Sequence, residues 1–132
     1  ITSCSPCFVV QVDASWIRTG VATLGCLLRD SSKRIISEHT ERFHAQSSVQ
    51  AETLAIHQAL LWASRRGIYH LLLQSVCLPA ILQIKRQIKV EFQLDSIIND
   101  IYSLLVSFHC CSVPYIPRAL NKKAHALASR VR

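Results

Sequence analysis

The sequence predicts one α/β domain: a five-stranded mixed sheet, three antiparallel strands then two parallel ones, flanked by helices in the order βββαβααβα. Three observations carry this. Three strand-like runs follow one another across polar turns before any helical repeat appears. From residue 47 onward, helical repeats alternate with short apolar runs, as they do where helices join parallel strands. Half of the 132 residues are hydrophobic, against only three Gly and four Pro, which supplies one packed core and argues against low complexity.

Residues 1–7 read as a leader, and 8–132 as the domain. Phe8 to Val12 (FVVQV) is β-branched, aromatic and apolar on both faces, the mark of a central strand. Gly20 to Leu28 (GVATLGCLL) is the second strand, Arg29 to Arg34 a polar turn, and Ile35 to Phe43 the third strand. Ser47 followed by Gln50 predicts a capping box. The helix it opens runs to Arg65-Arg66, cations suited to a last turn, with Gly67 as the left-handed stop. Ala55, Ile56, Ala59 and Ala63 share one face with Glu52, so small residues let this helix lie close to the sheet. Ile68 to Leu73 (IYHLLL) is the fourth strand. Pro79 opens a helix carrying Ile81, Leu82, Ile84 and Ile88, and a second helical repeat runs from Leu94 to Phe108. Cys110 to Ile116 is the fifth strand, and Asn121 to Val131 the last helix, with Ala124, Leu127, Ala128 and Val131 inward.

Net charge is +7, and no acidic residue follows Asp100, whereas Arg118, Lys122, Lys123, Arg130 and Arg132 do. Lys85, Arg86 and Lys89 form a second basic cluster. Such clusters fit a phosphate backbone or another acidic partner, and equally a solubilising surface on a chain that is half apolar. No apolar run reaches the roughly 18 residues that span a membrane. The chain begins Ile1-Thr2-Ser3 and contains no Met, as a segment cut from a longer protein would. Six Cys include Cys4 and Cys7 as a lone C-x-x-C and the adjacent Cys110 and Cys111, with no second ligand pair to complete a zinc site. Reduced thiols are expected, and with them a nuclear compartment ahead of a cytosolic or organellar one.

Asp13 closes the first predicted strand, and Glu52 lies on the inward stripe of the first helix. Together they have metal-binding potential. Separately, the first is a turn-forming Asp and the second an early-helix acid that suits the macrodipole.

Five stretches in order and at matching spacing resemble one family. They are VDAS at 12–15, LLRD at 27–30, QAETLAIHQALLWASRRGI at 50–68, LLLQSVCLPAI at 71–81 and VPYIPRALNKKAHALA at 113–128. The chain resembles the RNase H-like superfamily, in its plant reverse-transcriptase-like branch. The resemblance implies an enzyme that cuts the RNA strand of RNA–DNA hybrids with two Mg²⁺ ions held by four carboxylates. Two divalent ions about 4 Å apart need several anionic oxygens to offset their repulsion.

By that resemblance Asp13 and Glu52 match two of the four carboxylates and are the metal ligands that remain. The family's Glu-Ser-Asp reads Gln74-Ser75-Val76 here, so Val76 stands where an aspartate belongs. The aspartate of its last helix is replaced by His125. Valine has no ligand atom, and imidazole suits Zn²⁺ or Mn²⁺ better than Mg²⁺. The expectation is a catalytically degenerate domain that binds nucleic acid, RNA–DNA hybrid or RNA, through Lys85, Arg86, Lys89, Arg118, Asn121, Lys122 and Lys123. Two alternatives stand beside it: a scaffold for a protein partner, and a residual nuclease using Mg²⁺ or Mn²⁺ on Asp13 and Glu52.

Overall fold

The computed structural model of the chain describes residues 7–130. Its elements are β1 (Phe8–Trp16), β2 (Val21–Arg29), β3 (Ile35–His44), α1 (Ser48–Arg65), β4 (His70–Ser75), α2 (Leu78–Ile84), α3 (Asp95–Leu105), β5 (Cys110–Ser112) and α4 (Lys122–Arg130). Short 3₁₀ turns at Phe92–Leu94 and Arg118–Leu120 precede α3 and α4. The sheet order is β3-β2-β1-β4-β5, with β1–β2 and β2–β3 antiparallel and β1–β4 and β4–β5 parallel. The predicted architecture therefore stands.

Strand alternation sorts the two faces. Val10 and Val12 of β1, with Leu24, Cys26 and Leu28 of β2, are buried in one cluster with Ala55, Ile56, Ala59 and Leu60 of α1 and Ile98 and Ile101 of α3. Residues in the other phase of β2 meet α4. A Cβ on Gly25 would lie 2.5 Å from the Ala128 nitrogen and 2.6 Å from the Leu127 Cβ, so only glycine lets α4 sit this close. Beside it the Thr23 hydroxyl donates to the Ala128 carbonyl.

Helix α1 starts and stops as expected, with one adjustment. The Ser47 hydroxyl accepts from the Gln50 N–H at 3.1 Å, but the Gln50 side chain returns to the Gln46 N–H at 2.7 Å, one residue before the cap. Gly67 has φ +77°, and the N–H groups of Gly67 and Ile68 bond the Ser64 and Ala63 carbonyls, a Schellman stop.

Other boundaries move. The fourth strand starts two residues late and reaches Ser75. The fifth shortens to three residues, continued only by an isolated bridge from Ser75 to Tyr115, because Pro114 has no N–H to donate. Helix α2 ends at Ile84, leaving Ile88 exposed. Its stop places Arg86 at φ 55°, where glycine is usual, with the guanidinium 5.1 Å above the Tyr102 ring. The inward Ala124, Leu127 and Ala128 of α4 are buried as expected, and Val131 lies outside the described residues. Cys110 is disulfide-bonded, which corrects the expectation of reduced thiols, while Cys7, Cys26, Cys77 and Cys111 are free. Cys4 lies outside the described residues.

Candidate functional site

The site forms where β4 stops and β1 continues. Parallel pairing ends at Val12 with Ser75, so Asp13 is the first β1 residue without a β4 partner. Strand β1 runs on to Trp16, with Asp13 opposite Gly25 of β2, so Asp13 sits inside the strand rather than at its end. Crevices at the carboxyl ends of parallel strands are where sheet proteins place ligands.

Asp13 is 0% exposed. Its Oδ2 lies 2.7 Å from His125 Nδ1 on α4 and 3.3 Å from Arg118 Nη1 in the turn before it. An ionised carboxylate only accepts, so the proton of this bond belongs to His125 Nδ1. Arg118 Nη1 is also 3.1 Å from His125 Nδ1, so three groups converge on one oxygen. Asp13 Oδ1 is buried without a hydrogen-bond partner.

Glu52, largely buried near the start of α1, hydrogen-bonds the Asp13 carboxyl. Burial first, then the Asp13 charge and that hydrogen bond, push its pKa up to about 9 against the opposing pull of Arg118 and the Ala14 backbone. The neutral form of Glu52 is thereby favoured.

Polar residues set into apolar strands hold the Arg118 turn in place. Gln11 Nε2 bonds Gln74 Oε1 at 3.1 Å and the Leu120 carbonyl at 3.0 Å, and Gln11 Oε1 accepts from Arg29 Nε at 3.0 Å. Asn121 Nδ2 bonds the Val12 carbonyl at 2.9 Å. The sequence reading missed these roles, although a glutamine inside FVVQV or LLLQS is itself a signal that a strand side chain needs a partner. Asn121 corrects an expectation: it is 1% exposed and ties α4 to β1 rather than lying on a nucleic-acid surface.

Val76 follows Ser75 directly, and its side chain has no donor or acceptor atom. Cys77 beside it is no ready nucleophile, since burial pushes its thiol up to about 11. Among the described residues, no three His, Cys, Asp or Glu side chains are grouped to hold a metal ion.

Of the predicted basic residues, Lys122 and Lys123 are exposed at the start of α4, in the same turn as the site. Lys85, Arg86 and Lys89 are exposed after α2, where the Arg86–Tyr102 stacking ties that turn to α3. Arg118 was expected on the binding surface, and its guanidinium is 58% exposed yet bonded to Asp13.

A family model described as reverse transcriptase-like matches residues 11–131. No curated protein sequence matches the chain. Solved structures share its fold. RNase H1 of the halophilic archaeon Halobacterium salinarum is 24% identical, with TM-score 0.88 over 94% of this chain and 96% of that one. The N-terminal RNase H domain of a Mycobacterium tuberculosis protein is 21% identical, with TM-score 0.84 over 96% and 93%. LC11-RNase H1, isolated from compost and crystallised with an RNA/DNA hybrid, is 18% identical, with TM-score 0.83 over 93% and 94%.

Proposed function

The chain belongs to the reverse transcriptase-like family, and from that premise we propose that it is a degenerate RNase H domain. In this reading it binds nucleic acid, RNA–DNA hybrid or RNA, and has lost most or all metal-dependent cleavage of hybrids. The observation that supports the loss is Asp13 Oδ2, which already holds two protein cations or donors, Arg118 and His125.

The residues present do not fit a pair of divalent ions. Mg²⁺ requires near-octahedral hard oxygen ligands. Here Val76 supplies none, His125 supplies nitrogen and is turned onto Asp13, and Glu52 must first release a tightly held proton. Two carboxyls, even both ionised, would bring two negative charges against the four positive charges of two metals.

Binding is supported by the charge of +7 and by Lys122 and Lys123, exposed in the first turn of α4. LC11-RNase H1, of the same fold, was crystallised with an RNA/DNA hybrid. Fluorescence anisotropy with a labelled hybrid tests the reading. Affinity should fall steeply with salt, since each phosphate contact contributes a logarithmic slope of about −0.7 to −0.9. Lys122→Glu with Lys123→Glu should weaken binding further. Affinity indifferent to both salt and charge reversal would sink this reading and favour a scaffold for a protein partner. Mg²⁺- or Mn²⁺-dependent cleavage that vanishes in Asp13→Asn would show that the site still works as a nuclease.

A further inference from the structure

We propose that the remnant site reads a ribonucleotide directly and without a metal, Arg118 holding the phosphodiester and His125 Nε2 accepting the hydrogen of the ribose 2′-hydroxyl. This deepens the nucleic-acid reading above and rests on it.

The geometry is that of an anchored imidazole. Asp13 is fully buried, and its 2.7 Å bond to Nδ1 fixes both the ring's orientation and its tautomer. In the neutral ring that bond places the hydrogen on Nδ1 and leaves the lone pair on Nε2. Nε2 has no protein partner among the described residues, and the side chain is 49% exposed. An acceptor in that position wants a hydroxyl rather than a phosphate oxygen, because two acceptors repel.

Arg118 complements it. Only Nη1 of its guanidinium is engaged among the described residues, and the side chain is 58% exposed, so the rest of the fork faces outward. Guanidinium groups suit phosphate oxygens through parallel N–H donors. Arg118 and His125 approach to 3.1 Å. The 2′-hydroxyl and 3′-phosphate of one nucleotide are likewise neighbours, so one residue of an RNA strand can meet both side chains. DNA lacks the hydroxyl, and the site would favour RNA at that position. Lys122 and Lys123, exposed in the adjoining turn, would take flanking phosphates.

The test compares two hybrids of one sequence in EDTA, one with an ordinary RNA strand and one with a 2′-fluoro strand. The second keeps A-form geometry but has no 2′ hydrogen to donate. The protein should bind the ribo form about 3- to 10-fold tighter, the net worth of one hydrogen bond. His125→Phe should erase that ratio, and Arg118→Gln should weaken both probes alike. A ratio of one in the native protein overturns the proposal without any variant having to fold. So does a ratio that survives His125→Phe, or binding that appears only when Mg²⁺ is added. Salt-sensitive binding with no preference sinks this inference alone, whereas no binding of either hybrid sinks the nucleic-acid reading as well.

Discussion

Replacing Glu52 by glutamine should stabilise this protein, and should do so more as the pH rises. Between its ordinary value of 4.5 and its folded value of about 9, Glu52 holds a proton that the unfolded chain has already released. A carboxyl raised in this way makes the native chain lose stability as pH climbs through that window, by at most about 1.4 kcal/mol per pH unit. At about pH 7.5 the full linkage would be about 4 kcal/mol, and partial solvent access together with the shared Asp13 charge reduces the working figure to about 2 kcal/mol. Glutamine is close in shape, donates to Asp13 as the protonated acid does, and never needs to be held neutral. Urea denaturation of native protein and Glu52→Gln, at about pH 5 and about pH 8, reads the difference directly. The two should nearly coincide at the lower pH, with the variant ahead at the higher. A variant that is less stable by the same amount at both pH values would mean that Glu52 is ionised and that its charge helps to hold the site together.

Gly25→Ala should cost about 3 kcal/mol, because its Cβ would meet Ala128 N, Leu127 Cβ and the Ala124 carbonyl within 2.7 Å and α4 would have to lift. In a domain this size that is a Tm lower by roughly 10 °C, and an unchanged Tm would show that α4 packs elsewhere. Ser47→Ala should cost about 1 kcal/mol in urea denaturation through the lost cap on the Gln50 N–H. Val76→Asp alone should destabilise by about 1–3 kcal/mol at neutral pH, since it adds a carboxylate directly after the buried Ser75 while Arg118 is already engaged by Asp13. Val76→Asp with His125→Asp should gain thermal stability from Mg²⁺ and regain hybrid cleavage, both read by comparing melts and digests with and without the ion. A double variant blind to Mg²⁺ would show that the scaffold no longer holds metal-site geometry.

The fold was legible because period-2 and period-3.6 patterns report burial, and this chain keeps them clean: FVVQV, GVATLGCLL and the alanine face of α1 all lie where their patterns put them. Boundaries were less legible where a proline or a cap acts locally, as at Pro114 in the fifth strand and at Arg86 after α2. Asp13 and Glu52 stood out as acids on inward positions. Their proton and their cation did not, because both depend on contacts that periodicity does not encode. Arg118 is 105 residues from Asp13, and an arginine in a proline-bounded turn reads the same whether it faces solvent or a buried carboxylate. Asn121 misled for a related reason. An amide at a helix start looks like a surface residue, yet the Val12 carbonyl beyond the end of β4 needed a donor.

If the crevice is a degenerate metal site as proposed, its substitutions amount to one electrostatic change rather than separate losses. A two-metal centre needs excess negative charge, and that excess is unstable in a buried site without the ions. Four features of this chain remove it. On the proposed reading, Val76 stands where one carboxylate would be, and His125 replaces another with a donor aimed at Asp13. Arg118 brings a positive charge to the same oxygen, and burial beside Asp13 favours the neutral form of Glu52. On that reading the site holds Asp13 Oδ2 with its own side chains, and a guanidinium and an imidazole nitrogen face outward. Such a site has no electrostatic need for divalent ions, and it can approach a phosphate strand without them. On the proposed reading, the crevice would engage nucleic acid by direct hydrogen bonding rather than through an ion, on the frame that the sheet and α4 provide.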